Sequence, residues 1–329
     1  MIPSRRRCLV GAAVAALSAS SGSFAASLNL TASDVHVSEY PTVLALRWLG
    51  DQLALETDGR LTLKLYHSGQ LGRESDQIDL VRHGAIDMTR VFAGALNNAF
   101  PLTVSLCLPY LINSTPHFRR VVDGSVGARV LGGFADRGLV GLAIYDGGAR
   151  CLYNTRRPIL TPDDLRGLKL RVPPSDIFMR LFAELGGNPT PLAYGEVYSA
   201  LQTRLIDGAE NNIKSFHSSR QFEVARFWSQ TEHSYAPDVL LMSANSFDAL
   251  TAADQDLVRS LARASVAVQR RYWDESEAVA RQAVVDAGVH VNAVDRQAFV
   301  HAVEPLVAQY RRDPLLAPLL KAIETEAQG

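Results

Sequence analysis

Apolar and polar positions alternate most cleanly over residues 60–66, where Leu61, Leu63 and Leu65 take every second place after the turn Thr57-Asp58-Gly59. A period of two predicts a strand. Upstream, Val43, Leu46, Leu49 and Leu53 recur at helical spacing and predict a helix over residues 40–55. Residues 27–32 alternate as a strand, a helix is expected through Asp76, Leu80 and Val81, and a short buried strand over residues 85–88. Strand and helix in turn imply an open parallel sheet with helices on its faces. Residues 139–145 form an unbroken apolar run, as in a strand covered on both sides.

A second α/β unit follows. Thr161-Pro162-Asp163-Asp164 combines an N-capping threonine, a first-turn proline and two acids. Residues 168–172 then predict a strand that stops at Pro173-Pro174, with helices over 175–185 and 195–205. From Thr251 a helical stripe through Leu257, Leu261, Ala264, Val268 and Tyr272 runs to about Ala287. A helix that long reaches across two bodies. With no flexible linker in sight, the expected architecture is a two-lobed α/β fold, its mixed or parallel sheets covered by helices, in which the chain crosses more than once. The boundaries expected are 26–147 with 237–275 for lobe I, and 148–236 with 276–329 for lobe II.

The amino-terminal end carries a different pattern. Arg5-Arg6-Arg7, an apolar stretch from Leu9 to Leu17 and a small-residue run to Ala25 make an export signal cut after Ala25. The apolar stretch is shorter than the ~20 residues a membrane-spanning helix needs. Three adjacent arginines suit either the twin-arginine or the general secretory route. Cleavage removes three arginines and no acid, which takes the formal net charge from −1 to −4. That balance argues against nucleic acid or an anionic membrane surface as partner. Cys107 and Cys151 remain; they could pair in an oxidising compartment, but their apolar neighbours favour separate buried thiols.

Catalytic constellations are missing from the pattern. The sequence has no phosphate loop, dinucleotide fingerprint, zinc-binding HExxH, CxxC or nucleophile elbow, and its eight histidines lack ligand spacing. Neither an enzyme, a cofactor nor a metal is expected. Arg150 and Arg171 stand out instead, each at a predicted strand end beside uncharged residues, ahead of Gly208-Ala209-Glu210-Asn211-Asn212. A guanidinium fork matches a carboxylate two-on-two, as a lysine cannot. Such a pair suits a cleft that grips a small organic acid, or else structural arginines tied to acidic neighbours.

Four ordered blocks carry a family resemblance: residues 145–150 (Tyr-Asp-Gly-Gly-Ala-Arg), 167–172 (Gly-Leu-Lys-Leu-Arg-Val), 191–203 and 206–212 (Ile-Asp-Gly-Ala-Glu-Asn-Asn). With these, the chain from Leu28 to Pro305 resembles the extracytoplasmic solute-binding proteins of tripartite ATP-independent periplasmic (TRAP) transporters, of the dicarboxylate-binding type. The resemblance implies a periplasmic two-lobed receptor that closes on its ligand and delivers it to membrane permease subunits; a monomer is expected. It also implies that Arg171 makes the main two-pronged contact with a carboxylate, with Arg150 and Asn211 beside it. Asp34-Val35-His36, Asp87-Met88-Thr89-Arg90 and Glu210-Asn211-Asn212 are most similar to members that bind sugar acids, particularly hexuronates such as glucuronate or galacturonate. His36, Glu74 and Arg90 would then meet sugar hydroxyls. Departures from the family pattern at Phe92 and at Ile213-Lys214 put side chains of unexpected kind beside the sugar end. Tyr194 and Tyr198, one helical turn apart, are expected to pack in the core. The alternatives are a C4-dicarboxylate or other small hydroxy or keto acid, and an exported carbohydrate hydrolase with Glu74 and Glu210 as its acid pair.

Overall fold

The computed structural model describes residues 27–327; the expected export signal and its cleavage site lie outside them. In chain order the strands are β1 (Leu28–Ser33), β2 (Leu61–Tyr66), β3 (Met88–Phe92), β4 (Leu139–Tyr145), β5 (Arg150–Asn154), β6 (Lys169–Val172), β7 (Asn188–Pro191), β8 (Gly208–Asn211), β9 (Phe227–Ser234), β10 (Asp238–Ser243) and β11 (His290–Asn292). They form two sheets, one ordered β2-β1-β3-β10-β4 and the other β11-β9-β5-β8-β6-β7. Each sheet, with the helices on its faces, is one lobe. The first helix (Pro41–Glu56) buries Val43, Leu46, Leu49 and Leu53, the stripe its sequence period predicts.

Neither sheet is wholly parallel. β1 lies parallel to β2 and β3, but β10 runs antiparallel to both β3 and β4, and β5 antiparallel to β8 and β9. The reason is the crossing chain. β4 passes directly into β5 of the other sheet, and β9 passes back into β10, so these strands enter without the helical crossover that parallel pairing requires. The crossings touch. A Cβ on Gly147 would stand 2.2 Å from the carbonyl oxygen of Ala236, and one on Gly148 (φ +65°) 2.6 Å from the Trp273 ring. Only glycine lets the two connections and the long helix (Ala252–Asp286) approach so closely.

Three boundaries differ from the sequence expectation. The strand expected at 85–88 begins at Met88 and continues to Phe92. Asp87 instead holds β1 side-on, accepting from the Thr31 amide at 2.7 Å and its hydroxyl at 2.9 Å. The helix expected over 195–205 is a short Val197–Gln202 helix, ended where Arg204 takes φ +60°. The last helix (Ala317–Glu326) returns to lobe I rather than staying with lobe II: Leu319, Leu320 and Ile323 join the core around Phe118, and His117 Nε2 lies 2.8 Å from the Ile323 carbonyl oxygen. Cys107 and Cys151 are both buried and unpaired.

Candidate functional site

Sheet topology brings distant residues to one place. β8 lies between β5 and β6, with Cys151 opposite Asn211 and Arg171 opposite Ala209. Arg150 opens β5, Arg171 lies one residue from the end of β6 and Asn211 closes β8, so all three reach the same end of the lobe II sheet. Across the cleft, the loop after β1 supplies His36, the start of the Glu74–Arg82 helix supplies Glu74, and β10 opens with Asp238. Together with Tyr40, Phe92, Tyr194, Asn212 and Ser215 these residues wall one cavity. It measures about 420 Å³, its open mouth included.

The three arginines that sequence analysis singled out meet three different fates. Arg90 is fully buried and does not reach the cavity. Its Nε donates to Asp34 Oδ2 at 2.9 Å, Nη2 donates to Asp34 Oδ1, and Nη1 lies 3.1 Å from Asp238 and 3.5 Å from Glu74. Three carboxylates surround one guanidinium. Burial works against its charge, but Asp34 and Asp238 hold its pKa well above the ordinary range, and burial of Asp34 is likewise outweighed by Arg90, which keeps that carboxyl low. The expectation that Arg90 meets sugar hydroxyls is corrected: every arm of its fork is used by protein acids.

Arg150 is also spoken for. Its Nε and Nη2 grip Glu210 at 2.6 and 2.7 Å, Nη1 donates to Asn211 at 3.1 Å, and its plane lies 4.4 Å over the Phe92 ring. Burial pushes the Glu210 carboxyl up, but Arg150 and His233, 3.1 Å away, bring it down to about 2. Glu74 accepts from the Phe92 amide at 2.8 Å as well as facing Arg90. An acid pair for hydrolysis needs one carboxyl that keeps its proton; Glu210 is held ionised by Arg150 and does not line the cavity.

Arg171 is the exception. It is 3 % exposed, and among the described residues its sole hydrogen-bond acceptor is the Leu192 carbonyl, reached from Nε at 2.8 Å. No carboxylate pairs with it among those residues. Desolvation works against the charge of all three arginines, but only for Arg171 is it not outweighed, so its pKa falls, and nearby Arg150 adds to the effect. Nη1 and Nη2 are left to the cavity, with donor capacity and charge unspent.

His36 lines the opposite wall, stacked on Tyr40 at 3.8 Å and tilted 53° to the Tyr194 ring at 5.0 Å, with Nδ1 3.1 Å from Asp34. Tyr194, expected in the core, lines the cavity; Tyr198 does not, its hydroxyl donating to Glu223 at 3.1 Å. Phe92 lies in the wall, whereas Ile213 faces a separate hollow beside Trp228. Asp238 and Tyr40 were missed. Asp238 left one signal, a lone charge between Pro237 and the apolar run Val239–Met242.

The chain is similar to known solute-binding proteins in sequence and fold. Residues 32–313 match the model of a family described as bacterial extracellular solute-binding protein, family 7. A TRAP periplasmic solute-binding protein from Bradyrhizobium sp. BTAi1, solved in complex with α/β-D-galacturonate, superposes with a TM-score of 0.89 at 46% identity, covering 91% of this chain and 100% of that one. One from Chromohalobacter salexigens with bound D-glucuronate gives 0.87 at 37% identity, covering 90% and 99%. The 2,3-diketo-L-gulonate-binding periplasmic protein YiaO of Escherichia coli K12 is 34% identical over 284 residues, 85% of this chain and 87% of its own.

Proposed function

From the premise that this chain belongs to the bacterial extracellular solute-binding protein family 7 and is a TRAP transport receptor, not an enzyme, we propose that it captures a hexuronate, galacturonate or glucuronate, by its carboxylate. The carboxylate sits on Arg171, and Asn211 and the remaining donor of Arg150 lie beside it. One observation carries the reading: of the three buried arginines at the cleft, Arg171 alone lacks a carboxylate. A buried guanidinium without a counter-ion costs several kcal/mol, which a ligand carboxylate offsets on closure.

The opposite wall supports the sugar half. Glu74 and Asp238, with His36, present acceptors to the cavity, and hydroxyl groups are the donors such a wall suits. A second ligand carboxylate would face these acids and be repelled, which disfavours a C4-dicarboxylate. Relatives point the same way, since the Bradyrhizobium and Chromohalobacter proteins hold galacturonate and glucuronate. An acyclic keto sugar acid, the kind YiaO is named for, satisfies the same two walls and is the second reading. We further place the protein in the periplasm as a monomer, after cleavage behind Ala25, delivering its ligand to permease subunits.

Thermal-shift measurement of the mature protein with galacturonate, glucuronate, galactose and succinate tests this directly. A ligand at a hundred times its dissociation constant adds about 2.7 kcal/mol of stability. Both uronates are expected to raise Tm and galactose to leave it unchanged. Equal shifts from galactose and galacturonate would end the proposal.

A further inference from the structure

The outer strands of the two sheets differ in how their free edges are protected. β7 carries Pro189 and Pro191, β2 presents Thr62 and Lys64, and β11 has three residues. Proline, charge and shortness are the usual guards of an edge. β4 has none of them: its seven residues, Leu-Val-Gly-Leu-Ala-Ile-Tyr, include no charge and no proline. Its outer side has no strand partner, and among the described residues only the Leu139 amide finds an acceptor there, Phe134 at 3.4 Å. Val140 and Gly141 are half-exposed, and the other five residues of β4 are buried.

Two hollows follow this edge. With their open mouths included, one of about 790 Å³ lies over residues 139–142, and one of about 1270 Å³ lies over residues 142–144. Ala128, Leu131, Leu142 and Arg263 line both, so the hollows make one trough between the Ser125–Gly132 helix and the long helix. The trough shares no lining residue with the ligand cavity.

Its charge is one-sided. Between Leu257 and Trp273 the long helix carries Arg259, Arg263, Arg270 and Arg271 and no acid, on a chain whose formal net charge is −1. The carboxylates in the trough are already taken: Arg270 holds Asp123 at 2.7 and 2.8 Å, and Arg119 holds Asp274 at 2.6 Å. Among the described residues no ion pair engages Arg259, Arg263 or Arg271; Arg259 lies over the Phe247 ring and Arg271 over Tyr272.

We propose that this trough is the docking surface for an extended acidic segment of the membrane partner. The segment lies along β4, its apolar side chains in the hollows and its carboxylates on Arg259, Arg263 and Arg271. An unguarded edge calls for a strand, an apolar floor for alternate apolar side chains, and cationic banks for acids. The inference rests on the receptor reading, because the partner follows from it.

An Arg259→Glu, Arg263→Glu, Arg271→Glu variant tests the assignment, with galacturonate calorimetry and uptake into liposomes containing the TRAP membrane subunits. Ligand affinity is expected to stay within about twofold, and uptake to fall about tenfold or more. The corresponding triple lysine variant keeps most of its uptake, because it keeps the charge. In the wild type, liposomes with the subunits slow amide exchange across residues 139–145, and the triple glutamate variant loses that protection. Wild-type uptake by the glutamate variant overturns the proposal. So does equal binding of the wild type to subunit-free phosphatidylglycerol vesicles, which would make the arginines a lipid contact. A wrong ligand assignment shows in wild-type calorimetry, while the exchange measurement needs no ligand.

Discussion

The two walls of the cleft solve opposite electrostatic problems. On lobe I, Asp34, Glu74 and Asp238 surround Arg90, an excess of acid that satisfies its own arginine fully. On lobe II, Arg150 and Arg171 share Glu210, which Arg150 takes with both prongs. Lobe I is self-sufficient; lobe II is one carboxylate short. On the proposed reading the difference gives the ligand's anion to lobe II and its hydroxyls to lobe I. It also separates the two arginines paired with protein carboxylates from the one that is not, though all three are buried.

The sharpest way to break this contrast is Arg171→Met. Loss of the buried ion pair is expected to weaken uronate binding on the order of a thousandfold, about 4 kcal/mol, by calorimetry. The unliganded variant melts no lower than the wild type, because the substitution removes a charge that had no partner. A clear drop in its Tm would mean that Arg171 is structural.

Arg150→Met should behave in the opposite manner. It strands Glu210 in the interior and is expected to cost about 3–4 kcal/mol of stability in urea unfolding. Adding Glu210→Gln to it should restore much of that loss. Without restoration, the Arg150–Glu210 pair is not what stabilises this wall.

Acid provides a third test. Glu210 has a folded pKa of about 2, below its ordinary 4.5, so its contribution is fully present above pH 4.5 and is lost as pH falls toward 2. The expected loss is about 2–3 kcal/mol, and Glu210→Gln should flatten that part of the stability profile. Asp34 shifts in the same direction, so a residual acid sensitivity belongs to lobe I.

The smallest effect belongs to the hydroxyl end. Glu74→Gln keeps the shape but replaces a charged acceptor, and should cost about 1 kcal/mol of uronate affinity. A simple carboxylate without hydroxyls should not notice the change. Equal losses for both ligands would remove Glu74 from the sugar side.

Local pattern was enough for much of this. Period-two alternation marked β2, helical spacing marked the Pro41–Glu56 helix, and the stripe from Thr251 located the long helix to within a residue at its end. These signals are legible because burying one face demands them of consecutive residues. The four motif blocks also placed Arg150, Arg171 and Asn211 near one another. β3 was misplaced because a strand containing arginine does not look buried until its three acids, 16 to 148 residues away, are known.

By itself, then, the sequence determined the two-lobed α/β plan, the long connecting helix and the arginines able to fork a carboxylate. Only the tertiary structure decided which arginine was left free. A guanidinium's chemistry is the same at each position; its role depends on whether a carboxylate from another strand reaches it. That contact is set by register and crossing, and neighbours in sequence carry no record of it.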